Sequence, residues 1–305
     1  MSDLKLFRID RGTAVELHGA ALGLEKPLQN LIERNMEALF GVRFVASEHS
    51  TGKKHGGRID SLGLDENGSP VIFEYKRSVS QNVINQGLFY LDWLLDHRAE
   101  FELLVMRKLG SEPASQIDWS GPRLVCVASD FTRYDEHAIA QIDRSIELVR
   151  YREYGGSFLT LDLMASTSAT STAAGDEEAP RPVRRSMDKS VAQLHEQSSA
   201  DLKELYDLLE TYLLSLGDDV TKTTRQLYYA FRRIKNFACV EIHPQARKLL
   251  VYLKTDPASI TLLPGFTRDV TKIGHFGTGN LEVTVGSPQD LEQAQPLILA
   301  SYQIS

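Results

Sequence analysis

The sequence predicts a mixed sheet flanked by helices over residues 1–164 and a small α+β domain over 196–305. Three observations carry this. Strand and helix signals alternate through the first half, the pattern of an α/β layer fold. A stretch without apolar period, 165–187 (ASTSATSTAAGDEEAPRPVRRSM), interrupts the chain. The second half then changes grammar, to a helix, a run of short strands and a closing helix.

In the first half, Leu24 to Phe40 carries Leu28, Leu31, Ile32, Met36 and Leu39 at helical spacing. Val42 to Ala46 is a short strand. Arg58 to Asp65 and Val71 to Arg77 are strands joined by Glu66-Asn67-Gly68-Ser69, a hairpin signal. Gln81 to Val105 reads as one long helix with Leu88, Leu91, Leu94 and Leu95 on its apolar side. Arg123 to Ala128 is continuously apolar after its first residue and so central. A helix over Asp135 to Arg144 and strands over Ile146 to Tyr151 and Phe158 to Leu163 complete the layer, with helices on both faces of the sheet.

The Ser/Thr/Ala/Pro-rich composition predicts a flexible linker over 165–195, with 165–187 as its barest part. Beyond it, Asp201 to Leu216 is an amphipathic helix with Leu202, Leu205, Leu208, Leu209 and Leu213 on one stripe. Strands follow at Gln226–Arg232, Phe237–Ile242, Leu249–Lys254 and Leu281–Val285. The last helix runs from Pro288 to about Tyr302, with Ser287 as N-cap and Pro288 at its first position.

Composition narrows function. Net charge is −7. Residues 1–164 hold 19 basic and 24 acidic side chains and the remainder 15 and 17, so neither half is a basic nucleic-acid coat and any such contact is local. No apolar run approaches the ~20 residues of a membrane span, and the N-terminus lacks a secretory h-region. Cys126 and Cys239 stand far apart in apolar stretches, which argues against a disulfide scaffold. A cytoplasmic protein without a membrane partner is expected.

The hairpin concentrates the chemistry. A three-residue loop, Glu66-Asn67-Gly68 with Gly68 left-handed, pairs residues whose numbers sum to 134. Asp60 then opposes Glu74, and Lys76 shares their face. A one-residue slip would scatter the three. Two ionised carboxylates at that distance repel. A hard divalent ion, Mg²⁺ or Mn²⁺, relieves the repulsion and suits attack of water on a phosphodiester. The plain alternative is a surface hairpin with an ordinary carboxylate–lysine pair. It fits poorly with Val71-Ile72-Phe73, which makes the strand a buried one where unpaired charge is costly. Gln86 and Tyr90, four apart on one helix face, can lie over the hairpin edge. The basic, glycine-rich loop Ser50 to Gly57 reads equally as a phosphate-meeting arm or a solvated loop, with Lys53, Lys54 and Arg58 as its charges. Arg77 is a similar case.

These segments, Gly57-Arg58-Ile59-Asp60, Glu74-Tyr75-Lys76 and Gln86 to Tyr90, resemble the PD-(D/E)xK (restriction-endonuclease-like) nuclease superfamily over roughly residues 22–105. Their wording, G-x-x-D, E-x-K and Q-x-x-x-Y, is that of the NucS and RecB-like branch. The resemblance implies Asp60 and Glu74 as metal ligands, Lys76 as the catalytic lysine and Gln86 with Tyr90 as supports. It also implies an acidic residue on the preceding helix: Glu25, with Glu33 as competitor. The implied activity is a Mg²⁺- or Mn²⁺-dependent endonuclease acting on DNA rather than RNA, in DNA repair or defence against foreign DNA. A homodimer is expected, because one centre serves one strand. The competing class is a nucleic-acid-binding or protein-interaction module that keeps the fold without cleaving.

In the second half, Lys222 to Lys235 interleaves Arg225, Arg232, Arg233 and Lys235 with Tyr228, Tyr229 and Phe231. A single-strand-binding stripe is one reading. A strand with one buried and one solvated face ranks ahead of it. Lys272-Ile273-Gly274-His275-Phe276-Gly277-Thr278-Gly279 resembles the wording of an uncharacterised domain found after nuclease-like domains.

Overall fold

The computed structural model describes residues 4–21, 25–76, 82–168 and 189–305. The chain divides into two compact units, Met1–Thr170 and Ser171–Ser305.

The first unit opens with β1 (Leu6–Asp10) and β2 (Thr13–Leu17), a hairpin that forms a two-stranded sheet of its own among the described residues. Then come β3 (Gly19–Ala20), α1 (Glu25–Phe40), β4 (Val42–Ser50), the single turn α2 (Gly52–His55), β5 (Arg58–Asp65) and β6 (Pro70–Lys76). After these follow α3 (Asn82–Asp96), α4 (Arg98–Leu109), α5 (Ser111–Ser115), β7 (Arg123–Ala128), α6 (Arg133–Ile139), β8 (Ser145–Tyr154) and β9 (Phe158–Thr167). One sheet runs β3-β8-β7-β6-β5-β4, with β9 also on β8. Strands β6, β7 and β8 are mutually parallel and the other pairs antiparallel, so the sheet is mixed as expected.

Alternation along the central strands explains the two helical layers. Leu28, Ile32, Met36 and Phe40 of α1 are buried, and Phe40 packs edge-on against Phe73. Each such side chain contributes about 1.5–3 kcal/mol. Ile72, Leu124, Cys126, Ile146 and Leu148 belong instead to a core with Leu91, Trp93 and Leu94 of α3.

The expected helix over Gln81–Val105 is two helices. At His97 the backbone leaves helical values (φ −114°, ψ 38°), its ring Nδ1 lies 2.8 Å from the Trp93 carbonyl, and its ring stacks on Trp93. The break turns α4 so that Phe101 and Val105 are buried while Leu103 and Met106 face out. The helix expected over Asp135–Arg144 starts two residues earlier, at a Thr132–Asp135 capping box, and ends at Ile139.

Two parts of the expected linker are ordered elements: Ala165 to Thr167 pair with β8, and Val191–Glu196 is a helix, α7, behind a Ser190 capping box. Residues 169–188 of the expected linker lie outside the described residues.

The second unit continues with α8 (Ala200–Ser215), β10 (Thr221–Thr224), β11 (Tyr229–Arg232), β12 (Asn236–His243), β13 (Lys248–Leu253), β14 (Thr267–Asp269), β15 (Leu281–Val285) and α9 (Pro288–Gln303). Its sheet runs β10-β11-β12-β13-β15-β14, all antiparallel. Helices α7, α8 and α9 bury one face through Val191, Leu202, Leu205, Leu209, Leu213, Leu291 and Ile298. Ser287 caps α9 by accepting from the Asp290 N–H, as its sequence predicts. The loop of Gly274 to Asn280 folds over the other face, where His275 stacks flat on Tyr252.

Candidate active centre on the first sheet

The site grows from the β5–β6 hairpin. Its register pairs Ser61 with Phe73, Leu62 with Ile72 and Gly63 with Val71, all summing to 134, and Gly68 takes φ 77°. The paired ladder ends at Ser61 and Phe73. One step on, the side chains interlock. The Asp60 N–H donates to Glu74 Oε1 (3.3 Å), and the Tyr75 N–H donates to Asp60 Oδ2 (3.0 Å). Each carboxylate thus bonds backbone of the other strand, and the two are held together in the cleft where the strands part.

Glu74 is fully buried, and its Oε2 has no hydrogen-bond partner among the described residues. Burial, and then the neighbouring Asp60 charge, push its carboxyl up to about 9. Burial also raises Asp60, against the lowering effect of the Tyr75 N–H and of Lys76. The metal-free pair therefore carries one proton at neutral pH. Lys76, half-buried at the end of β6, lowers both groups through its charge.

The supports fall into two sets. Tyr90 is buried; its hydroxyl accepts from the Arg58 N–H (3.1 Å) and from Gln86 Nε2 (3.3 Å). A Cβ on Gly57 would come within 2.5 Å of the Tyr90 ring, so the glycine lets the β5 entry lie against α3. Gln86 and Tyr90 thus fix the backbone two residues before Asp60. On the α1 side, Gln29 donates to the Asp60 carbonyl (2.8 Å) and to Glu33 (2.9 Å). Glu33 accepts from Ser61 Oγ (2.6 Å), which also accepts from the Tyr75 hydroxyl. This places Glu33 on the α1 side of the sheet, whereas Glu74, between Phe73 and Tyr75, points the other way. Glu25 stands exposed in the first turn of α1, and its charge contributes to raising Asp60.

Sequence reasoning missed Glu48. In the β4–β5 ladder Ser47 pairs with Ser61 and His49 with Ile59, so Glu48 lies opposite Asp60. Its carboxylate is 2.6 Å from Lys26 Nζ and 2.6 Å from Arg58 Nε. Its charge raises both Asp60 and Glu74. The expected strand Val42–Ala46 stops short of this residue, and only the long-range pairing of β4 with β5 reveals it.

The basic residues differ in what surrounds them. Arg58 is exposed and bound to Glu48; Lys53 is exposed on α2. The loop carrying it is built rather than open: Gly56 caps α2 at φ 62°, and the Thr51 N–H closes onto the Gly57 carbonyl. The Lys54 side chain and Arg77 lie outside the described residues.

Among the described residues no group of three or more His, Cys, Asp or Glu side chains is placed to hold a metal ion. Asp60 and Glu74 are a two-carboxylate set. That is the usual protein share of a Mg²⁺ shell that keeps its waters. The unpartnered Oε2, the raised Glu74 carboxyl and the all-oxygen donors fit a hard divalent cation.

The basic–aromatic stretch of the second unit is not an exposed stripe. Arg225, Arg232, Tyr228, Tyr229 and Phe231 are buried, Lys222 pairs with Glu210 (2.6 Å) and Arg233 with Asp219 (2.7 Å). Both faces of Tyr229–Arg232 are covered, which also corrects the expectation of a half-solvated strand. Its expected start at Gln226 fails too, because the chain bends between β10 and β11.

Residues 191–305 match the family described as a domain of unknown function, DUF5655. An uncharacterized protein of Haemophilus influenzae is 30% identical over 302 residues, covering 97% of this chain and 98% of its own. Among solved structures, an EndoMS–dsDNA complex shares 19% identity over 43% of this chain and 46% of its own, with a TM-score of 0.28. A repair endonuclease from Pyrococcus abyssi shares 20% over 42% and 47%, with a TM-score of 0.29. The chain spans less than half the length of these two structures, and at such TM-scores the likeness has no weight for function. Among the described residues no helix is long and apolar enough to cross a membrane.

Proposed function

We propose that this chain, which belongs to the same family as the uncharacterized Haemophilus influenzae protein, is a metal-dependent nuclease that hydrolyses phosphodiester bonds, of DNA rather than RNA. One observation carries the reading: Asp60 and Glu74 interlock at the mouth of a splayed hairpin, with a buried, unpartnered carboxylate oxygen and a lysine beside them. An unsatisfied buried polar atom costs about 1–3 kcal/mol, a cost that a cation bound at Glu74 Oε2 would relieve.

Asp60 and Glu74 would hold the Mg²⁺ or Mn²⁺ ion. When bound, such an ion lowers the pKa of a coordinated water and neutralises charge on a phosphoryl oxygen. The remaining work falls to the chain. Lys76 carries an ammonium with donors and no acceptor, so it orients the attacking water or meets the charge that develops on phosphorus-bound oxygen. Gln86 and Tyr90 keep β5 in place through the Arg58 N–H, and Gln29 does so through the Asp60 carbonyl. Glu25 is the α1 carboxylate nearest in role to a further acidic contributor. Lys53, Lys54, Arg58 and Arg77 supply phosphate contacts. A homodimer, with one centre per strand, belongs to the same proposal. So does a reducing cytoplasm, which suits two buried cysteine thiols.

The absence of a third placed metal donor among the described residues favours one rival, a module that binds nucleic acid without cutting it. Calorimetric titration of Mn²⁺, run beside cleavage of labelled DNA and RNA, separates the two. The nuclease reading expects metal binding and cleavage in the wild type and loss of both in Glu74→Ala. Metal-independent binding without cleavage would establish the rival.

A further inference from the structure

Lys26 of α1 and Arg58 of β5 flank Glu48, whose charge reaches both interlocked carboxylates. Half to two-thirds of each side chain is open to solvent (51% and 68%). Both are already engaged by one anion, the Glu48 carboxylate, one oxygen to each at 2.6 Å. That is the arrangement two basic residues make around a phosphate, with a carboxylate in its place. Glu48 is also held at φ 53°, in the left-handed region. A non-glycine residue there costs of order 1 kcal/mol and persists where the position has a use. The ladder runs from Ser47–Ser61 to His49–Ile59 and leaves Glu48 and Asp60 out of the pairing, so the left-handed residue sits at a break in it, across from Asp60.

We propose that Lys26 and Arg58 form a binding clamp for a backbone phosphate of the nucleic acid, and that Glu48 is its displaceable internal occupant. The inference rests on the nuclease reading for the identity of the anion. The clamp sits where a strand must lie to reach the centre, because Arg58 is two residues before Asp60 and Glu48 is opposite Asp60. In the free chain Glu48 leaves the trio with a single net positive charge, which limits capture of stray anions. A substrate phosphate carries a full charge and brings further contacts along its backbone, so it competes for both cations. A purely structural trio would instead tie α1 to β4 and β5 and have no bearing on nucleic-acid affinity.

Binding to a labelled DNA duplex and to a single strand, with EDTA present to prevent cleavage, tests this in the full chain. Wild type, Glu48→Gln, Glu48→Gly and the Lys26→Gln/Arg58→Gln double variant are compared over a salt series. Glu37→Gln, an exposed change of equal charge elsewhere on α1, is the control. Freeing the clamp should tighten binding about tenfold and steepen the salt dependence by about one phosphate contact. Both Glu48 variants should show this and Glu37→Gln should not. The double variant should bind more weakly with a shallower slope. Glu48→Gly also removes the φ cost, so it should fold at least as stably and keeps the test clear of folding defects. Glu48 variants that bind no more tightly than wild type, while wild type binds, would overturn the clamp and leave the nuclease reading standing. A wild type that binds neither probe at low salt in EDTA would overturn the clamp, and an absence of Mn²⁺-dependent cleavage would overturn the nuclease reading.

Discussion

Glu74→Gln in the metal-free protein should raise stability at neutral pH, although it removes the side chain placed at the centre of the site. The folded carboxyl is pushed from its ordinary 4.5 to about 9 by burial and by Asp60. A carboxyl raised in this way favours folding only while protonated. Its contribution is complete below 4.5, falls as pH rises through the folded value, and is gone above about 9. At pH 7 the folded state must keep a proton that the unfolded chain has released. Each pH unit above 4.5 costs about 1.4 kcal/mol, which makes about 3 kcal/mol at pH 7. Glutamine has the same shape, carries no charge and can accept from the Asp60 N–H as Glu74 Oε1 does. For a unit of this size 3 kcal/mol corresponds to about 6–12 °C in Tm. Thermal melts of wild type and Glu74→Gln in EDTA, from pH 4 to 9, should coincide at the acid end and diverge above pH 5, with the variant higher. Saturating Mn²⁺ should then raise the wild type and leave the variant unmoved. A variant that melts below wild type at pH 7.5 would refute the reasoning, as would two curves of the same pH dependence. Either result would mean that Glu74 is satisfied as an ordinary ionised side chain.

Three other outcomes follow from the geometry. Arg123→Met should destabilise the first unit by about 3–5 kcal/mol in chemical denaturation, because Arg123 is buried between Asp65 (3.1 Å) and Glu147 (2.5 Å) and its loss strands two carboxylates. Tyr90→Phe should cost about 1 kcal/mol in the same assay and lower cleavage more than metal affinity, since the hydroxyl holds the Arg58 N–H rather than the ion. Residues 1–170 and 189–305, expressed separately, should each unfold cooperatively by calorimetry, because each unit has its own sheet and core; a molten fragment would contradict two independent domains.

What could be read from the sequence was local. The hairpin register followed from three loop residues, because the side-chain period is two and a left-handed Gly68 sets the count. Arg123–Ala128 was legible end to end because an apolar run with sharp polar borders leaves little choice, and Leu281–Val285 because Leu281, Val283 and Val285 alternate with Glu282 and Thr284. The helix break at His97 was not, since no Pro or Gly marks it and the ring stacked on Trp93 is a tertiary contact. The β1–β2 hairpin escaped because its strands bury almost nothing and so lack an apolar alternation. Arg225 and Arg232 looked like surface cations, yet the fold covers both faces of their strand. Glu48 was out of reach for a similar reason: nothing within β4 says which strand it pairs with. The candidate site was thus visible where one hairpin builds it and hidden where three elements meet.

The most direct test of the central claim is nicking of supercoiled plasmid by the full chain with Mn²⁺, beside Lys76→Met purified in parallel. If Asp60 and Glu74 supply the anionic ligands, as proposed, the ammonium has no lone pair to offer a metal, and the expected result is nicking by wild type and none by Lys76→Met, with Mn²⁺ affinity retained. Equal nicking by the two proteins, or none by the wild type, would contradict it.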